Sequence, residues 1–557
     1  MKLKFLLLFF LIQTFNISAQ KDENVPGVVS GNIQSIAQYY QSDSLINAAL
    51  PEHVMGFNGF ANLNFVKGNF SAGVRMESYL NTLEGYPNTF TGTGLGYRYA
   101  AWKNEDLEVT VGNFYEQFGS GMILRIYEER QLGIDNVMDG VKAKYNPYKG
   151  IYLKAVVGKQ RHQFNDGLIN GTGVIRGFDG EINVNELLDS MADSKLRVSI
   201  GGSFVSKFNT DNNTPNFIMP RNVGSYAGRI AMRYNKFRFN GEIMHKINDP
   251  YPDNQDERFH YIYKNGEGIL LNLGYSQKGL GIDLSAKHTD NLLWRSTSSS
   301  VGPTDLLIGF LPALTKQHTY NLASTLYPYA TNQRGEVSYQ VDIMYKIPKK
   351  TKLGGKYGTA ISLNAATSYV PNREFLYDTI GARESYLTTP FSQSDSVLYQ
   401  DFNIEIKRKI NKKLKFNINY YNFIFEDRAV LVAKHHELIY AQIAVLDLAY
   451  KLNRHHSIRF EFQGLWTQQD QGDWAFGQVE YTFSPHYYVA VLDQYNYGNS
   501  EVEQRLHYAL ISAGYIKGPH RFSFQYGRQR AGVFCVGGVC RAVPASNGLT
   551  FTLTSSF

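Results

Sequence analysis

The residues best equipped for chemistry are charged, and they gather in the first third of the chain. Arg75 and Glu77 stand two apart, as do Lys142 and Lys144, and Lys154 follows. Between these sets lie Glu116, Arg125, Glu128, Glu129, Arg130, Asp135 and Asp139. A spacing of two puts side chains on one face of an extended strand. Carboxylates and guanidinium groups pair strongly in a partly desolvated setting. Such a set either braces an inward-folded segment or forms a constriction that selects charge along a water path.

Other reactive types point to structure rather than catalysis. Cys535 and Cys540 flank a Gly-Gly turn in Cys-Val-Gly-Gly-Val-Cys. In an oxidising compartment this spacing predicts a disulfide stapling a hairpin tip. No further Cys or His stands beside the pair, so no metal site is expected there. The pairs His435–His436 and His455–His456 would point to opposite faces of an extended chain, and they read as solvated turn residues. No Gly-x-Ser-x-Gly elbow occurs, and no catalytic triad can be placed. The acidic loop Asp249 to Glu257 lacks EF-hand spacing. No catalytic, cofactor-binding or metal-binding residue is expected, and the chain does not read as an enzyme.

These residues need a scaffold, and the composition says which kind. Of 557 residues only 19% are charged, while 14% are aromatic, with Tyr (39), Phe (35) and Gly (50) abundant. That mixture favours strands over helices. Two cysteines in so long a chain exclude a disulfide scaffold. Beyond the N-terminus no run of about 18 apolar residues occurs, which excludes a helical membrane bundle. The net charge of +7 is spread along the chain without a basic stripe, so no nucleic acid partner is expected.

Polarity alternates with period two. Leu414, Phe416, Ile418 and Tyr420 oppose Lys415, Asn417, Asn419 and Tyr421. Ile458, Phe460 and Phe462 oppose Arg459, Glu461 and Gln463. Phe522, Phe524 and Tyr526 oppose Arg521, Ser523 and Gln525. Short turns, as at Lys67–Gly68, Asn235–Lys236 and Lys517–His520, alternate with long polar loops such as Asn209 to Asn222 and Asn291 to Gly335. The expectation is an all-β fold: a transmembrane, antiparallel, up-and-down β-barrel of about 24 strands (range about 20 to 26), with short periplasmic turns and long extracellular loops. Its apolar face would meet lipid and its polar face the lumen. Alternation blurs at Phe118 to Met138, where Gly119-Ser-Gly121 precedes an apolar run; a bulged strand or an inward segment would explain it. The loop residues Leu306, Leu307, Ile308, Phe310 and Leu311 are too apolar for an exposed loop. They must cover the barrel mouth, enter the lumen or meet a partner.

The ends carry export signals. Residues 1–19 read as a signal peptide: Lys2 and Lys4, the apolar run Phe5 to Ile12, then Ser18 and Ala19 before cleavage at Gln20. Residues 20–557 would form one barrel without a separate plug domain. The last strand places Leu549, Phe551, Leu553 and Phe557 on one face and threonines on the other. It resembles the C-terminal signal that the barrel-assembly machinery recognises, with Ser555 as a departure.

Val111-Gly-Asn-Phe-Tyr-Glu-Gln-Phe-Gly-Ser-Gly121, Tyr127-Glu-Glu-Arg130, Asp135-Asn-Val-Met-Asp-Gly140 and Lys144-Tyr-Asn-Pro147 form a pattern, together with Ser30 to Gln34 and Ser71 to Arg75. The pattern resembles an uncharacterised outer-membrane β-barrel family of Bacteroidota, described only as a domain of unknown function. The resemblance implies an outer-membrane location and no activity. The expected function is a pore or transport-type channel with a loop-occluded polar lumen. The alternative is a non-enzymatic barrel subunit of a larger complex for protein secretion or outer-membrane protein assembly. Expected partners are outer-membrane lipid, the assembly machinery and, in the second reading, other envelope proteins.

Overall fold

The computed structural model describes residues 26–209, 219–253, 257–298, 300, 305–376, 386–426, 438–536 and 539–557. The candidate signal peptide and the pair His435–His436 lie outside them. Alternating sequence folds as strand nearly throughout. The wall strands are β1 (Val28–Gln41), β2 (Met55–Lys67), β3 (Phe70–Leu80), β4 (Phe90–Lys103), β5 (Leu107–Phe114), β6 (Met138–Tyr148), β7 (Ile151–Asn165) and β8 (Leu168–Asn183). They continue as β9 (Leu196–Phe208), β10 (Asn222–Tyr234), β11 (Phe237–Lys246), β12 (Gly266–Gln277), β13 (Leu280–Asp290), β14 (Gly335–Ile347), β15 (Thr359–Phe375) and β16 (Tyr386–Lys409). The last are β17 (Leu414–Glu426), β18 (Leu438–Lys451), β19 (His456–Trp466), β20 (Trp474–Phe483), β21 (Tyr487–Tyr495), β22 (His507–Lys517), β23 (His520–Gln529) and β24 (Ser546–Ser556). Each pairs antiparallel with the next, and β1 pairs with β24 from Asn32↔Ser556 to Gln41↔Asn547. The result is a closed 24-stranded antiparallel barrel, as the sequence predicts.

Register assigns the faces. On β3, Val74, Met76 and Leu80 point outward and are exposed, while Arg75, Glu77 and Tyr79 point inward and are buried. Phe204, Ile243, Leu273, Phe402, Ile418, Phe462, Val491, Ile511 and Phe524 continue the exposed apolar surface around the barrel. Water would make this exterior costly, at about 25 cal/mol per Å² of apolar area; hydrocarbon makes it favourable. Exposed aromatics mark both rims: Tyr148, Tyr234, Phe237, Tyr345, Phe483 and Tyr487 by the short turns, Tyr39, Tyr226, Tyr440, Trp466 and Tyr526 toward the long loops. Leu549, Phe551 and Leu553 face outward on β24, with Phe551 against Phe524 at 4.8 Å. Phe557 exchanges two 3.0 Å backbone hydrogen bonds with Gly31 and so completes the seam.

The buried core lies inside the barrel. Toward the long-loop side two sectors of the inner wall are apolar: Val156, Ile175, Val205, Val223 and Met244 on β7 to β11, and Tyr421, Phe423, Phe425, Ile439, Ile443, Leu465, Trp474 and Phe476 on β17 to β20. The polar lumen expected from alternation holds toward the short turns and, toward the long loops, at buried groups such as Lys207, Lys246, Lys287, Glu336 and Ser338. Where the inner wall turns apolar, chain segments from the loops fold in and cover it.

Candidate functional site

The first insert is the segment joining β5 to β6. It leaves the wall after Phe114 and returns at Met138. Inside, Glu116–Phe118 pairs with Leu124–Ile126, and Glu128–Glu129 with Ile134–Asp135. Gly119 (φ 52°) and Gly121 (φ 95°) build the tip in the left-handed region that glycine tolerates. Phe118, Met122, Ile123, Leu124 and Ile126 are buried against the inner wall. The inward segment, rather than a bulged strand, explains the lost alternation. Its departure shortens β5 and β6, and the β7–β8 tip reaches over them to pair parallel with β4 at Phe164↔Phe90 and Asn165↔Thr91.

The second insert is the long segment between β13 and β14. Leu306, Leu307, Ile308 and Leu311 are buried, and Phe310 is partly buried. Of the three destinations open to these residues, the structure shows the lumen. Three inward lysines from the wall hold the segment by its carbonyls. Lys207 donates to Arg295 O (2.8 Å), Lys246 to Leu293 O (2.7 Å) and Lys287 to Pro312 O (2.8 Å). Lys207 and Lys287 also meet Asp249 (2.7 Å) and Glu336 (2.6 Å). All three lysines are fully buried, and each retains partners, as a buried cation requires. Farther along, the short helix Asn321–Thr325 lies against the aromatic wall. Leu322 N donates to Gln463 Oε1 (3.0 Å), and His318 meets Asp401 at 2.7 Å.

The inserts are joined to each other. Arg125 N donates to Ile308 O (2.8 Å), and Phe310 N to Gly121 O (3.0 Å). Asn136 Nδ2 and Gln160 Nε2 both donate to Leu307 O. The hairpin Gly532–Val536/Val539–Val543 adds a third inward piece, lying against the helix and the turn Arg130–Leu132. Arg530 Nη2 anchors its base on Thr325 O (3.0 Å). Register places position 535 opposite position 540. The side chains of Cys535 and Cys540 lie outside the described residues.

The charged residues divide into two groups. Arg75 meets Glu77 (2.7 Å), Glu128 (2.9 Å) and Asp135 (2.7 Å). Arg130 pairs with Glu128 (2.8 Å). Arg161, which alternation did not single out, completes the group by bridging Glu77 (2.8 Å) and Asp135 (2.9 Å). This network ties β3, β7 and the first insert together below the β4–β7 contact, with Phe60, Tyr79, Phe90 and Phe164 packed beside it. The second group centres on Glu116, with Lys144 at 3.1 Å, Lys154 at 3.2 Å and Lys142 at 3.9 Å. Burial opposes the charge on Glu116, yet Lys154 and Lys144 hold its carboxyl below the usual range. Arg125 joins neither group; it lies over the rings of Tyr127 and Phe310 at 5.1 and 5.6 Å. Asp139 belongs to β6 rather than to the insert, faces outward, and pairs with Arg98 (3.1 Å). Among the described residues, no group of three or more His, Cys, Asp or Glu side chains is arranged to hold a metal ion.

A closed barrel with an apolar exterior and two aromatic rims is an outer-membrane protein. The model of a family of unknown function, DUF6029, matches residues 1–557. The chain belongs to that family. No curated protein matches the DUF6029 chain. Solved structures similar to it include the copper transporter OprC, at 10% identity and TM-score 0.40, covering 96% of this chain and 81% of that one. A ferric enterobactin receptor mutant from Pseudomonas aeruginosa shows 10% identity and TM-score 0.41 over 95% and 80% of the two chains. OccK1 from the same organism shows 10% and 0.36 over 95% and 98%. The architecture of the DUF6029 barrel rests on its own strand ladder.

Proposed function

We propose that this protein is a solute channel or transporter whose lumen is closed by its own inserts. The observation that supports the reading is the way the inserts are held. Beside their apolar contacts with the inner wall, polar and ionic latches fasten them to an otherwise complete wall, and the half of the lumen toward the short turns stays polar. A barrel of this width needs interior material to stop free leakage. Latches made of charges and hydrogen bonds can exchange for water when a segment shifts. The motif resemblance supports a Bacteroidota outer membrane as its setting. Proteoliposome swelling with small solutes of graded charge tests the reading. Charge-dependent flux is expected. A barrel that passes nothing under any condition and co-purifies stoichiometrically with envelope proteins would instead support a structural subunit.

A further inference from the structure

The short-turn end of the barrel carries a charge that neither the lipid-facing wall nor the inserts account for. Residues 346–356, at the turn between β14 and β15, hold five lysines and no carboxylate. Residues 407–415, at the turn between β16 and β17, hold six lysines or arginines and no carboxylate. Residues 451–456, between β18 and β19, add Lys451, Arg454, His455 and His456. Elsewhere on this rim the turns Asn235–Lys236 and Gln277–Gly279 carry one lysine each, and Asn104–Leu107 carries two carboxylates. The three basic turns are successive along the rim, because the connections between them run along the opposite end.

The turns also touch. Lys409 lies over the ring of Tyr357 at 4.9 Å, and Lys451 N donates to Lys413 O (2.8 Å). A Cβ at Gly355 would stand 2.7 Å from Arg408 Nη2, so the first turn leans on the end of β16. Lys349, Lys350, Lys352, Lys412, Lys413 and Arg454 are all exposed. Among the described residues, Lys407 is the one cation of these turns in an ion pair, with Glu405 at 2.8 Å. Like charges held this close repel, and an anionic partner relieves the repulsion. The apolar side chains set among the lysines decide which partner. Leu353 (70% exposed), Ile410 (43%) and Leu452 (41%) place one exposed aliphatic group in each turn. Tyr345 and Tyr450, also exposed, carry the lipid-facing wall down to these turns. A soluble acidic partner would use the charges alone. A leaflet of anionic lipid uses both, with head groups on the ammonium groups and aliphatic side chains at the acyl boundary.

We infer that this sector of the short-turn rim binds the head groups of anionic phospholipid, with the lysines of the three turns as counter-charges and Leu353 as an apolar anchor. The surface continues the lipid-facing wall, so the inference does not depend on whether the barrel conducts.

Native mass spectrometry of the full-length barrel in a nonionic detergent, supplied with equal phosphatidylglycerol and phosphatidylcholine, tests the surface. Phosphatidylglycerol should be retained about fivefold over phosphatidylcholine, as several cations acting together at a lipid surface predict. Combining Lys349→Gln, Lys350→Gln, Lys352→Gln, Lys412→Gln and Lys413→Gln should abolish the preference. Lys67→Gln with Lys236→Gln and Lys278→Gln, on other short turns, should leave it unchanged. Heat-modifiable electrophoretic mobility confirms that each variant is a folded barrel, and if the combined variant fails to fold, the substitutions of the two turns are tested apart. Equal retention of the two lipids by the wild type, a preference that survives the combined substitutions, or one lost equally in the control set would each overturn the inference. Equal retention together with saturable binding of soluble polyglutamate would assign the surface to an acidic polypeptide instead.

Discussion

At the scale of single residues, the most consequential side chain is one the sequence hides. Arg75 and Glu77 stand out because they alternate with Val74 and Met76 on a clean strand. Arg161 does not, because register shifts between Lys159 and Arg161 and again before Gln163 break the alternation there. Yet Arg161 faces both Glu77 and Asp135 with a fully buried side chain. Arg161→Met should leave two buried carboxylates undercompensated, a cost of about 3–5 kcal/mol. The expected outcome is a lower temperature for the loss of heat-modifiable mobility, partly restored in the double variant with Glu77→Gln. Glu116 makes a pH argument. Its docked carboxyl lies below the ordinary glutamate value, so the stability it lends the insert is fully present above that value, near 4.5. It is lost as pH falls through the lower docked value. Leakage through reconstituted barrels should therefore rise on acidification below about 4.5, and Glu116→Gln should show raised leakage already at neutral pH.

At the scale of elements, alternation carries most of the information, and it fails where the physics changes. On β17 the stretch Leu414 to Tyr421 alternates because one face meets lipid and the other a watery lumen. Beyond it Phe423 and Phe425 face inward against Tyr327 and Tyr399, while Asn422, Ile424 and Glu426 take the other face, so the apolar side no longer stays on one face and the pattern loses its meaning. The run Leu306 to Leu311 is legible as material needing cover, but its destination is not, because the groups that hold its carbonyls, Arg125 N, Asn136 and Gln160, stand more than a hundred positions away. The tip of the first insert depends on backbone that only glycine adopts easily. Gly119→Val should cost about 1–2 kcal/mol from handedness alone and collide with Glu242. The expected result is an intact barrel with faster proteolysis within the insert. Deleting Phe557 removes two hydrogen bonds to Gly31 and the terminal aromatic, and should cut the membrane-inserted fraction several-fold in fractionated cells.

At the scale of the molecule, a lipid-facing shell surrounds folded-in segments, with apolar contacts and charged latches between them. Strand number, faces and closure follow from a repeating pattern, which is why they were readable in the sequence. The interior depends on contacts between residues more than a hundred positions apart, such as Gln160 with Leu307, and no local pattern announces those. On the proposed reading the inserts, not the wall, close the lumen. Single-channel recording in planar bilayers tests this most directly, comparing the wild type with a barrel in which residues 116–136 and 292–333 are replaced by short Gly-Ser linkers. Low or flickering conductance is expected for the wild type and a large, steady conductance for the excised barrel. Equal conductance from two folded barrels would contradict it.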